Sequence, residues 1–239
     1  MLRLLLISLF LLPFVSTAQK GHTTFGIGLR PGFPSRYFRT GPVTFSDSSS
    51  TFTQVQQSGI SYGGFVRHGL NNRFSLETGI VYTKRNYRFD VDDPLVREEG
   101  DFSIIGYEIP LSGLVFIQLD QRWWMSGGMG ASIDIFPSDV STSGPKTLQY
   151  SARERKVNSA VSARLGIEWR TKTSGTVYIG AYYHRGLQTV YTNIIETYPD
   201  GDFAGTYATI GRTQMQGDYF GVELKYFFHE DPEKKNRKK

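Results

Sequence analysis

The chain has four histidines, His22, His68, His184 and His229, and no cysteine. No two of the histidines stand at a metal-ligand spacing, and no His-Glu-x-x-His occurs, so neither a thiolate nor a zincin-type metal site is expected. Gly-x-Ser-x-Gly and phosphate-loop motifs are absent from the sequence. Gly26-x-Gly28 lies inside an alternating apolar run with no helix after it, which excludes a nucleotide cradle. His184 is the one residue that could serve a lipid-modifying enzyme, as the base of a Ser–His–acid set on the rim of a barrel. The simpler expectation is a rim histidine at the water interface. The chain is therefore expected not to be an enzyme and to need no cofactor or metal.

The other residues with chemical potential are charges at alternating positions. Arg30, Arg67, Glu77, Arg85, Glu108, Arg164, Glu168, Glu223 and Lys225 each occupy the polar parity of an otherwise apolar alternation, as does Arg170. Most strand glycines share that parity. An unpaired buried charge costs several kcal/mol, so charges of both signs on one inward face should neutralise one another. That predicts a polar plug, with an ion pore as the alternative.

Eight segments carry the alternation: Thr23–Arg30, Ile60–His68, Phe74–Arg85, Ile105–Leu119, Trp123–Ile135, Val157–Arg170, Thr176–His184 and Gln216–Phe228. Period-two patterning identifies strands. Their lengths match or exceed the ~9–11 residues of a tilted membrane strand. A soluble calyx for an apolar ligand would point the apolar parity inward, whereas a membrane barrel points it outward. Three features favour the membrane. Long and short connections alternate strictly, which places both termini in the periplasm and makes the strand count even. Aromatics gather at two levels: Trp123, Trp124, Trp169, Phe74 and Phe228 near the short turns, and Tyr82, Phe136, Tyr183 and Phe220 near the long links. The last strand, Tyr219-x-Gly221-x-x-Leu224-x-Tyr226-x-Phe228, resembles the β-signal read by the barrel assembly machinery. The predicted fold is all-β, an eight-stranded antiparallel up-and-down transmembrane barrel of the outer-membrane type.

Composition agrees. Of 239 residues only 39% are hydrophobic, yet there are 26 Gly, 17 Phe, 14 Tyr and 3 Trp. That many aromatics argue against disorder, and the Gly content argues against a helical bundle. The net charge of +5 is spread along the chain and does not suggest nucleic acid. Residues 1–18 read as a signal peptide: Arg3, an apolar run from Leu4 to Val15, then Ser16 and Ala18 before the cleavage site. Residues 19–228 form the expected barrel domain, and 229–239 a basic disordered periplasmic tail.

Leu76-Glu77-Thr78-Gly79-Ile80-Val81-Tyr82 and Tyr107-Glu108-Ile109-Pro110-Leu111 resemble strand motifs of the Bacteroidetes outer-membrane β-barrel family that includes the PorT-like proteins. Tyr107 and Glu108 are adjacent here, one residue closer than in the commonest form of that motif. The resemblance implies a fold and an outer-membrane location; its named member is associated with protein secretion. Pro110 lacks an amide proton, so it should occupy a bulge or an unpaired ladder position.

The expected role is structural, binding or secretion-accessory, carried by the long loops. Expected partners are outer-membrane lipid and lipopolysaccharide, the assembly machinery, and other envelope or secretion proteins. Lys84, Arg85, Arg88 and Arg185 cluster near the outer rim and could meet lipopolysaccharide phosphates. Loop two is acidic (Asp90, Asp92, Asp93, Glu98, Glu99, Asp101) and loop three basic (Lys146, Arg153, Arg155, Lys156), both expected to be solvated.

Overall fold

The computed structural model describes residues 21–34, 41–47, 50–171, 173–206 and 209–229. The expected signal peptide and the tail beyond residue 229 lie outside them. All regular structure among the described residues is β. The strands are β1 (Thr23–Phe33), β2 (Val43–Asp47), β3 (Ser50–Gln56), β4 (Gly59–Gly69), β5 (Phe74–Asp92), β6 (Arg97–Gln118) and β7 (Trp123–Ile135). Then come β8 (Val140–Ser143), β9 (Thr147–Arg153), β10 (Val157–Arg170), β11 (Thr176–Gly186), β12 (Tyr191–Thr197), β13 (Thr209–Met215) and β14 (Tyr219–Phe227).

Eight of these close a ring in the order β5-β4-β1-β14-β11-β10-β7-β6, with β6 returning to β5. They coincide with the eight alternating segments of the sequence. Every pairing in the ring is antiparallel, and β1 meets β14, so the barrel has no free edge. The β5–β6 ladder skips two steps, leaving Ile109 and Pro110 without partners on β5. Thr78 Oγ1 bonds the Pro110 carbonyl at 2.8 Å there. Gly175 adopts φ +98° in the β10–β11 turn, a conformation that requires glycine.

The apolar parity points outward. Met129 is 76% exposed, Ile80 65% and Leu165 60%. This excludes the calyx, whose apolar face would point in. Tyr62, Tyr82 and Tyr107 pack side by side, 5.0 and 5.8 Å between ring centroids, toward the long-connection end of the outer face. Trp123 and Trp169 lie 6.4 Å apart at the short-turn end. Two expected girdle members are elsewhere. Trp124 faces inward beneath the Arg170 guanidinium, because its parity is opposite to that of Trp123. Phe136 is buried against Tyr191.

The long links are not solvated loops. β5 and β6 run far past the ring; at about 3.3 Å per residue, 22 residues of β6 extend roughly 70 Å, well beyond a bilayer core. β3 adds to the projecting part of β5, and β2 to β3. β8, β9, β12 and β13 make a second sheet. β13 lies against β2 and β8 against β6, so both groups enclose one core. Phe52, Tyr87, Phe89, Phe102, Ile195 and Met215 are among its residues. Gly211 on β13 permits this closure, since a Cβ there would lie 2.7 Å from the Phe52 ring. Buried polar bonds span the cap: Asn193 Nδ2 donates to Gln54 Oε1 at 2.7 Å, and Asp93 accepts from Ser50 and from Thr209.

Candidate functional site

Alternation aims one residue in two at the lumen, and the lumen of an eight-stranded barrel has room only for side chains. The charges found there form one connected chain. Starting at the short-turn end, Arg170 meets Glu168 at 2.8 Å, and Glu168 meets Arg67 at 2.7 Å. Arg67 reaches Glu77 at 3.0 Å. Glu77 also takes Lys225 at 2.6 Å and Arg164 at 2.5 Å. Lys225 and Arg164 lead on to Glu223, at 2.7 and 3.5 Å. Glu223 holds Arg30 at 2.6 Å, and Arg30 stands 3.6 Å from Glu108, which Arg85 approaches at 3.2 Å. All nine charged residues expected inside lie in this chain.

Aromatic faces line the spaces between the ions. The Arg30 guanidinium is 3.9 Å from the Tyr182 ring centroid, Arg67 3.9 Å from Phe227, and Lys225 Nζ 4.1 Å from Phe65. Stacking on a ring offsets part of the desolvation of a buried cation. The plug is thus ionic and aromatic, not only polar. Tyr178 and Tyr182 were not expected inside, although they share the parity of Gly180 and His184.

At the long-connection end, Glu108, Asp134 and His184 present donor atoms within 4.8 Å of one another. His184 Nε2 pairs with Asp134 Oδ2 at 2.8 Å, and Ser132 donates to Asp134 Oδ1 at 2.7 Å. His184 Nδ1 lies 3.9 Å from Glu108 Oε2. The imidazole stacks on Tyr219, whose hydroxyl donates to the same Glu108 oxygen at 2.9 Å. β10 separates the strands of His184 and Asp134; Ser162 stands opposite His184 and Asn158 opposite Asp134, and the inward residue between these two, Ala160, is small enough for the imidazole and carboxylate to meet. His184 is 0% exposed, so it is not the rim histidine at the water interface that its position near a strand end suggested. One imidazole with two carboxylates suits either proton transfer or a transition metal. Arg85 and Arg30 compete for Glu108, and the cap closes the approach.

Of the four residues expected at the lipopolysaccharide level, Lys84, Arg88 and Arg185 are exposed. Arg85 is buried with Glu108 and does not belong to that surface, because its parity is inward. The acidic set of loop two stands in the projecting β5–β6 hairpin. Arg88 pairs with Asp101 at 3.1 Å and Arg97 with Asp92 at 2.9 Å. Glu98 accepts the Lys146 amide at 3.0 Å, which ties β6 to the β8–β9 turn.

Asp139 fastens the entry to β8. The Arg153 backbone N–H holds its carboxyl below the usual range, aided by the Arg153 guanidinium and the Tyr150 hydroxyl. A carboxyl depressed by folding stabilises above its unfolded pKa, ordinarily about 3.9, and loses that contribution as pH falls through the folded value. Protease cleavage between residues 136 and 156 is therefore expected to increase as pH falls below about 4. In Asp139→Asn it should already be raised at neutral pH and change little on acidification.

No family model and no curated protein matches the sequence. Among solved structures, the outer membrane protein OprG from Pseudomonas aeruginosa is similar, with a TM-score of 0.54 at 13% identity over 88% of this chain and 97% of that one. The translocator domain of the autotransporter NalP from Neisseria meningitidis gives 0.32 at 10% identity, over 93% and 94% of the two chains. The outer membrane protease OmpT from Escherichia coli gives 0.28 at 8% identity, over 87% and 91%. The likeness to OprG is one of fold: the chain is an eight-stranded β-barrel of the outer-membrane type.

Proposed function

We propose that this protein is a non-conducting, non-catalytic anchor in the outer membrane that presents its folded cap for binding outside the cell. One observation carries the reading: above a hollow of about 270 Å³ at the short-turn mouth, the lumen is filled by paired ions and aromatic rings, and the cap closes over it. The termini are then periplasmic and the cap extracellular. Lys84 lies two residues beyond Tyr82 on the same face, a level that suits lipopolysaccharide phosphates, with Arg88 and Arg185 as further cationic contacts. Assignment to the PorT-like family rests on Leu76–Tyr82 and Tyr107–Leu111, which pair along adjacent strands, and a secretion-accessory role goes with it.

Folded protein reconstituted in planar lipid bilayers is expected to give no stepwise conductance. Steady open-channel steps from material that still shows the heat-dependent gel shift of a closed barrel would overturn the filled-anchor reading.

A further inference from the structure

On the outward face of β5, β6 and β7, near the short-turn end, lies an apolar groove of about 500 Å³. Phe74, Val115 and Met129 wall it. Its floor is bare backbone at Gly113, where a Cβ would meet no atom within 4 Å. A second hollow of about 660 Å³ adjoins the groove, and Phe74 and Val115 line both. Arg73 and Gln118 give this second hollow polar walls at the level of the short turns, and the inward-facing Phe116 and Trp124 line it too. Arg73 is exposed and makes no ion pair among the described residues.

We propose that the two hollows form one phospholipid site, with an acyl chain along Gly113 and the phosphate on Arg73. An apolar channel within the lipid-facing belt, ending at a guanidinium at the interface, matches the two ends of such a molecule. A second copy of the barrel would present apolar side chains to the groove, whereas a phospholipid supplies the chain and the anion in one molecule. The proposal rests on the reading that this belt meets a bilayer.

The test is native mass spectrometry of the full-length folded protein in maltoside detergent, with dioleoylphosphatidylglycerol as the probe. One bound lipid per barrel is expected. Dioleoylglycerol, with the same chains and no phosphate, should bind about tenfold more weakly, the size of one charge-assisted contact. Gly113→Leu sets its Cβ in open space on the groove floor and should reduce the phospholipid adduct about tenfold, and Arg73→Gln should lower it to the dioleoylglycerol level. The heat-dependent gel shift confirms that each variant is folded, and Arg73→Gln alone decides if Gly113→Leu does not fold. Unchanged adducts in the folded variants, equal binding of the two lipids, or lipid-free dimers would overturn the site while leaving the membrane reading intact. A chain that stays dispersed without detergent would overturn both.

Discussion

Replacing Glu77 by leucine is expected to destabilise the barrel by about 3–5 kcal/mol, the cost of removing one partner from a buried ion cluster. Glu77 is the branch point of the lumen chain, holding Lys225, Arg164 and Arg67 at 2.6, 2.5 and 3.0 Å. Without it, only Glu223 remains for Lys225 and Arg164, and Arg67 keeps only Glu168. Leucine has nearly the same bulk, so the loss reports charge and not a cavity. Urea titration of protein folded into vesicles, read by the fraction keeping the heat-dependent gel shift, measures it. Glu77→Gln should lose a similar amount. Adding Lys225→Met to Glu77→Gln should restore part of it, since one stranded cation is gone. A change below about 0.5 kcal/mol for Glu77→Leu would mean that water screens the cluster like a surface one, and the filled lumen would fall with it.

The ring was legible because each of its strands has two faces in different media. Ile105, Tyr107 and Ile109 face outward while Gly106, Glu108 and Ser112 face inward, and connection lengths and aromatic levels told which set meets the lipid. Parity also marked Arg30 and Glu223 as inward, although 193 residues separate these partners. It did not mark which ion meets which, since strand order around a closed ring does not fix the reach of long side chains. The meeting of His184 with Asp134 depends on the small residues of the strand between them, a relation across three strands that no single segment displays.

The cap was illegible for another reason. β2, β3, β8, β9, β12 and β13 are four to seven residues long, and their apolar residues are interleaved with Ser, Thr, Asn and Gln. Such segments look like solvated loop until a partner arrives from a distant link. Gln54 and Asn193, 139 residues apart, bury each other's amides in a way neither neighbourhood signals. Acidic loop two misled similarly. Asp93 reads as exposed, yet it is buried because it accepts hydroxyls from β3 and β13.

Ring and cap share β5 and β6, yet their cores differ in kind: ions and rings below, rings and aliphatics above. Different cohesion permits different stability, as in proteins whose parts open as separate cooperative units. Phe52 provides the test. It is 0% exposed, stacks on Phe45 at 5.4 Å, and touches β13 at Gly211, so it joins the two halves of the cap. Phe52→Ala is expected to cost the cap about 3–5 kcal/mol, the usual range for a buried aromatic. Protease added to intact cells should then cut within β3, β9, β12 or β13, where the native protein resists, while the barrel retains its gel shift. If the gel shift is lost together with cap resistance, the two storeys form one cooperative unit and the cap is required for the barrel to close. If the cap alone opens, binding at the cap can reshape it without disturbing the anchor.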